Sequence, residues 1–178
     1  MQILKVGHPK LREISHPVAK IDRELQILID RLLATVEKEN GVGIAAPQVS
    51  RSLRLFIVAS RPNPRYPNAP EMEPTATIDP KIISMSQEKV FDWEGCLSVP
   101  NLRGRVPRAK TIEVEYLDRN GNLHQTQLTD FVARIFQHEY DHLDGILFPD
   151  RVESSSDLIS EEEYYERVVP SQFGGESC

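Results

Sequence analysis

Between residues 22 and 40 the apolar positions Leu25, Leu28, Ile29, Leu32, Leu33 and Val36 recur at three- and four-residue intervals, which places them on one face of a helix. Asp22 is suited to cap its start, and Asn40-Gly41 to stop it. The period then shortens. "LRLFIVA" (53–59) predicts a strand, and Ile112, Val114 and Tyr116 interleave with Glu113 and Glu115 in the two-residue repeat of a half-exposed strand. "RNGN" turns the chain and "LHQTQL" returns it, a hairpin whose loop is longer than the tightest type. Helical spacing comes back at Phe131, Ile135, His138 and His142, with a neighbouring stripe of Val132, Phe136, Glu139 and Leu143. Thr129 or Asp130 is the expected cap of this helix and Gly145 its end. Ser160 and Glu163 have the spacing of a capping box, which predicts a short acidic helix over 160–169. Strands in runs between helices indicate an α+β fold: mixed or antiparallel strands packed around the late helix, with an N-terminal helix and a short C-terminal helix.

Two stretches fit neither period. "GVGIAAPQ" (41–48) is too rich in small residues to be a packed element and reads as a tight loop leading into a strand, whereas "RPNPRYPNAPEMEP" (61–74) reads as an inserted surface loop. The chain has 178 residues, enough to bury a core in one domain without staples, and its 39% hydrophobic and 27% charged content excludes a disordered or membrane-embedded class. No apolar run is long enough to span a bilayer, and the N-terminus lacks a leader pattern, so the cytoplasm is expected. A net charge of −6 argues against a specific nucleic-acid partner. The basic stretch "RGRVPR" (103–108) reads as a solvated loop, with Arg108 also a candidate support for a nearby site.

The late helix carries the chemistry. His138, Glu139 and His142 lie where core-facing residues belong, and burying an ionised carboxylate beside two imidazoles costs several kcal/mol unless something compensates. A divalent cation held by the two histidines, with the glutamate free as a base, is one compensation. Hydrogen-bonded core histidines are the plainer alternative. A catalytic metal needs a third ligand and an open position. His8 and His16 precede prolines in turn-like segments and His124 sits on a hairpin, so all three suit the surface better. Only Cys96 and Cys178 are present, far apart, and a disulfide is improbable. Cys96, in "WEGCLSVP" (93–100), is either a small buried hydrophobe or the missing ligand; two histidines in want of a partner favour the latter.

"GVGIAAPQ", "EGCLSVP" and "QHEYDHLDG", in this order, resemble the three motifs of the peptide deformylases, with Ile44 where leucine is usual. The resemblance spans roughly residues 3–151, which it implies is a catalytic domain, leaving 152–178 as an acidic C-terminal helix and tail. It implies hydrolysis of the N-formyl group from the formyl-methionine of nascent polypeptides. It further implies one ion per chain held by Cys96, His138 and His142, usually Fe(II), replaceable by Zn(II), Ni(II) or Co(II). Glu139 would be the general base, and Gln48 with the backbone N–H of Leu97 the oxyanion donors. Gly43 and Ile44 would give backbone contacts to substrate, while Val42, Gly95, Phe131 and Ile135 would shape its pocket. Glu94 and Arg108 would orient the ligands. Some members dock at the ribosome through a basic C-terminal helix; here "DLISEEEYYERVV" is acidic at its start. Three rivals make different demands. A zinc peptidase needs a third His or Glu ligand downstream, a cysteine hydrolase would use Cys96 as nucleophile, and a structural metal module would need a fourth protein ligand.

Overall fold

Asp22 accepts a hydrogen bond from the Leu25 backbone N–H at 3.1 Å and so opens α1 (Arg23–Lys38), whose Leu25, Leu28, Ile29, Leu32 and Val36 are buried. The computed structural model describes residues 1–169; Cys178 and the last part of the predicted tail lie outside the described residues. After α1 come β1 (Gly43–Ala45) and β2 (Leu55–Val58), then β3 (Thr75–Met85), β4 (Lys89–Cys96) and β5 (Val99–Ala109). The hairpin β6 (Thr111–Leu117) and β7 (Leu123–Thr129) leads into α2 (Asp130–Leu143), and β8 (Leu158–Ser160) follows. Pairings between these strands are antiparallel, in a five-stranded sheet ordered β1-β2-β3-β6-β7 and a three-stranded sheet ordered β4-β5-β8. The α+β expectation holds.

Strand periodicity explains the layering. On β2, Leu55 and Ile57 join α1 in one core, while Phe56 and Val58 point to the opposite face and join Ala133, Ile135, Phe136 and Leu143 of α2 in another. Phe136 meets Phe56 edge-on at 5.0 Å between ring centroids, a geometry that contributes about 1 kcal/mol beyond area burial. On its other side α2 is tied to the smaller sheet by side chains that satisfy strand backbone. Gln137 accepts from Ala109 N at 3.0 Å and donates to Ala109 O at 2.9 Å, and Arg134 donates to the carbonyls of Val106 and Val90. The helix is thus central, held between the two sheets.

Three local expectations need correction. "RGRVPR" is not a solvated loop but part of β5, where Arg103 and Arg108 are buried because acidic partners distant in sequence reach them. "GVGIAAPQ" is not a loop throughout, because Gly43–Ala45 pairs with β2 as β1 and Ala46–Val49 follows as a buried 3-10 turn. Thr129 stands at the N-cap of α2 without the expected side-chain hydrogen bond, and Asp130 has φ +51°. Gly145 ends the helix at φ +71°, where an added Cβ would lie 2.5 Å from Arg12 O. The acidic C-terminal helix forms as a short turn, Glu161–Glu163, capped by Ser160 Oγ accepting from Glu163 N, and continues as a wider π-helical turn, Tyr164–Val168. Among the described residues no helix is long and apolar enough to cross a membrane.

Candidate metal centre

The four-residue spacing on α2 stacks His138 and His142 on one face, their rings 5.1 Å apart, and the turn after β4 delivers Cys96 against them. Ligand atoms of Cys96, His138 and His142 all lie within 4.8 Å of one another. Cys96 Sγ is 3.3 Å from His142 Nε2. A soft thiolate and two imidazoles fit a transition-metal ion, and three donors leave a fourth tetrahedral position open. Burial alone would raise the Cys96 thiol, but His142 and His138 outweigh it and hold it well below the ordinary cysteine range. Burial would likewise lower His138, yet hydrogen bonds to Cys96 and Glu94 and their charges push it well above. Both directions favour charge on these side chains, and binding a metal would require the imidazole to give up its proton.

Glu94 orients the first histidine, accepting from His138 Nδ1 at 2.9 Å, which leaves Nε2 to face the site. Its two oxygens also accept from Arg108 Nε (2.9 Å) and Nη2 (3.0 Å) and from Arg134 Nη1 (2.8 Å). Burial tends to raise Glu94, but Arg108 and His138 prevail and hold its carboxyl well below the usual carboxylate range. Arg108 continues the network to Asp141 at 2.6 Å, which also accepts from Arg151 at 2.7 Å.

Glu139 is placed differently. It is buried, one of its oxygens has no hydrogen-bond partner, and burial pushes its carboxyl up to about 7 despite the two histidines. Gly43 of β1 lies against it so closely that a Cβ there would sit 2.5 Å from Glu139 Oε1. Gln48, 2% exposed, accepts from Ala45 N at 2.8 Å, so its amide nitrogen is turned toward Ser98 Oγ (3.0 Å) and Cys96 Sγ (3.5 Å).

A pocket opens over this group. Glu139, Gln48, Cys96 and His138 line it together with Gly95 and Leu97, and its apolar wall includes Val42, Phe131 and Ile135. Gly43 and Glu94 reach it as well. His142 lies behind, 1% exposed, and Arg108 stands outside the lining, behind Glu94. The Ile44 side chain is turned into the core shared with α1, so only its backbone is left to serve a ligand. Sequence reasoning passed over Ser98, Arg134 and Asp141, which hold the site residues, and Tyr66, Arg65 and Trp93, which line the pocket.

The sequence model of the family described as "Polypeptide deformylase" matches residues 1–157, most of the chain. The chain belongs to this family. Deformylases are metalloenzymes that remove the N-formyl group from nascent peptides, and the chain's cysteine and paired histidines form a group suited to binding a metal. Peptide deformylase 2 of Nostoc sp. is 65% identical over 170 residues, 95% of both chains. The Met-Ala-Ser-bound class I type b deformylase of Acinetobacter baumannii superposes with a TM-score of 0.82 at 48% identity, covering 84% of this chain and 96% of that one. A probable deformylase from Synechococcus phage S-SSM7 is more distant, at 35% identity and TM-score 0.77 over 85% of this chain and 99% of that one.

Proposed function

We propose that Cys96, His138 and His142 hold one divalent ion and that residues 1–151 around it hydrolyse the formyl group of N-terminal formyl-methionine, releasing formate. The observation that carries this reading is the convergence of a buried carboxylate, Glu139, and a buried carboxamide, Gln48, on three ligand atoms lying within 4.8 Å. Fe(II) is the proposed ion, with Zn(II), Ni(II) and Co(II) able to replace it. When bound, such an ion acidifies water and polarises a carbonyl oxygen.

The chain's own residues supply the rest. Glu139 takes a proton from the attacking water and passes it to the leaving amine nitrogen, and its unpartnered oxygen is available for this. Negative charge that develops on the formyl oxygen meets the Gln48 side-chain amide, held in direction by Ala45 N, and the backbone N–H of Leu97. β1 is the terminal strand of its sheet, and Gly43 and Ile44 offer backbone for an extended peptide to pair with. Val42, Gly95, Phe131 and Ile135 surround the methionine side chain. The A. baumannii relative binds Met-Ala-Ser, the product such a reaction leaves from a formyl-Met-Ala-Ser substrate. Glu94, braced by Arg108 and Arg134, keeps His138 aimed.

Residues 152–169 continue from this region, with β8 paired to β5 and Glu161 and Tyr165 bonded to Arg103. The acidic turn Glu161–Glu163 is not a surface suited to RNA phosphate, so a transient ribosome contact would not rest on that turn. The proposed location is the cytoplasm, where nascent chains emerge.

The test is formate release from formyl-Met-Ala-Ser by anaerobically purified, Fe(II)-loaded protein, with acetyl-Met-Ala-Ser and a chelated sample as controls. Release from the formyl peptide alone, abolished by chelation, is expected. Activity that survives metal removal and dies on alkylation would instead indicate a cysteine hydrolase.

A further inference from the structure

We infer that Tyr66, carried by the Pro-rich loop, is the end wall of the apolar pocket and sets how long a side chain the first substrate residue can carry; this rests on the deformylase reading above. The loop has no strand or helix of its own, yet its backbone is fixed. Asn63 Oδ1 accepts from Arg65 N at 2.9 Å and Tyr66 N at 3.0 Å, and the Asn63 and Tyr66 backbones bond each other at 3.2 and 3.1 Å. Pro62, Pro64 and Pro67 restrict φ on both sides of this turn. Ser60 Oγ donates to Pro70 O at 2.6 Å and closes the base.

From this turn the Tyr66 ring reaches across to Phe131, 5.5 Å between centroids, and both rings line the pocket that holds Cys96, His138 and Glu139. The far end of the phenol is held too. Its oxygen accepts from Arg103 Nη1 at 3.3 Å, and the Arg103 side chain is fully buried. That guanidinium is caged by the C-terminal segment: Glu161 Oε1 accepts from Nε at 3.2 Å and Nη2 at 2.8 Å, Tyr165 Oη accepts from Nη2 at 3.2 Å, and the Tyr164 ring lies 4.9 Å away. Arg103 also backs Gly95, where an added Cβ would meet Nη1 at 2.8 Å.

A ring anchored at its backbone, its face and its hydroxyl cannot yield cheaply to a longer ligand. The pocket therefore has a fixed depth, and a side chain that exceeds it must displace Tyr66 or stay partly outside. The residues around 61–74 and the segment after β8, which contribute no atom to the ligand group, act on the reaction by fixing that depth. Arg103 is a positioning residue in this arrangement; Tyr66 is the one that meets the substrate.

The experiment compares kcat/KM for formyl-Met-Ala-Ser and for the same peptide with 2-aminooctanoate, a longer unbranched side chain, in place of methionine. Wild-type enzyme is expected to favour methionine by about tenfold or more, the range one or two ill-fitting methylenes command. Tyr66→Ala should shrink that ratio by about tenfold, and Tyr66→Phe, which keeps the ring but releases it from Arg103, should shrink it by less. Tyr66→Leu, which keeps an apolar contact with Phe131 but shortens the wall, should shift it in the same direction and covers the case in which the alanine variant fails to fold. A binding readout accompanies these: Trp93, the single tryptophan, lines the same pocket, and its fluorescence follows titration of the two deformylated tripeptides into metal-free protein. Ratios that stay within about twofold of wild type in both shortened variants would overturn the inference. If wild-type protein released no formate while the Trp93 titrations still lost their length discrimination in Tyr66→Ala, the deformylase reading would fall and the wall would stand.

Discussion

Glu94 Oε2 accepts a hydrogen bond from His138 Nδ1 at 2.9 Å, and the same carboxylate, almost wholly buried, is gripped by Arg108 and Arg134. One buried anion thus fixes a ligand ring, compensates two buried guanidinium groups and fastens α2 to β4 and β5. Glu94→Ala is predicted to weaken metal affinity by about 10–100-fold through loss of ring orientation. It is also predicted to cost about 3–5 kcal/mol in stability, since two cations are left uncompensated. Chelator competition and denaturant unfolding measure the two effects; a variant with unchanged metal affinity would show that His138 is held by other means.

Gln48 is fixed by Ala45 N at 2.8 Å and donates to Ser98 Oγ at 3.0 Å, with a longer contact to Cys96 Sγ at 3.5 Å, and its replacement removes none of the three candidate ligands themselves. Gln48→Leu is predicted to lower kcat by about 10²–10³ with metal content and KM little changed, as expected for a donor that acts on developing charge. A rise in KM with unaltered kcat would assign Gln48 to substrate binding.

Gly43 is glycine because Glu139 occupies the space a Cβ would need, 2.5 Å away. The carboxylate is the end of a side chain and can swing aside, so Gly43→Ala should unfold little but displace the base. A fall of about a hundredfold in kcat at near-normal stability is expected, the scale of a 1 Å misplacement. Full activity would mean that Glu139 need not sit where it does.

Asp150 links the N-terminal segment to the chain after α2, accepting from the Arg12 guanidinium and from Leu147 N at 2.9 Å. Partial burial works against its ionisation, but the Arg12 and Leu147 hydrogen bonds prevail and lower its carboxyl below the ordinary aspartate range. Because the folded value lies below the unfolded one, the stabilisation is present above the unfolded pKa and is lost as pH falls through the folded one. The pair is about half exposed, so the contribution is on the order of 1 kcal/mol or less. An NMR titration of the Asp150 carboxyl carbon should show its midpoint move up in Arg12→Ala; an unmoved midpoint would contradict the assignment.

Much of the centre is legible in sequence because helix geometry is local: four-residue spacing alone puts His138 and His142 on one face beside Glu139. The hairpin of β6 and β7 and the extent of α1 are legible for the same reason, each being a repeat within one segment. Cys96 is legible only once the histidines need a third partner. What stays hidden depends on pairings distant in sequence. Arg103 and Arg108 look like a solvated patch until Glu161, Glu94 and Asp141 are brought to them, and Arg134 looks like a surface cation until Val90 and Val106 present their carbonyls. Tyr66 carries no periodic signal at all, because prolines and an asparagine turn, rather than a helix or strand, aim its ring at Phe131.

The central claim is that Glu139 does the proton transfer at a metal it does not bind. Fe(II)-loaded Glu139→Gln, compared with wild type for bound iron per chain and for formate release from formyl-Met-Ala-Ser, tests it most directly. The prediction is an unchanged iron content with activity lower by about 10²–10⁴-fold, the usual worth of a general base. A variant that keeps its iron and most of its activity, or one that fails to bind iron although folded, would contradict the account.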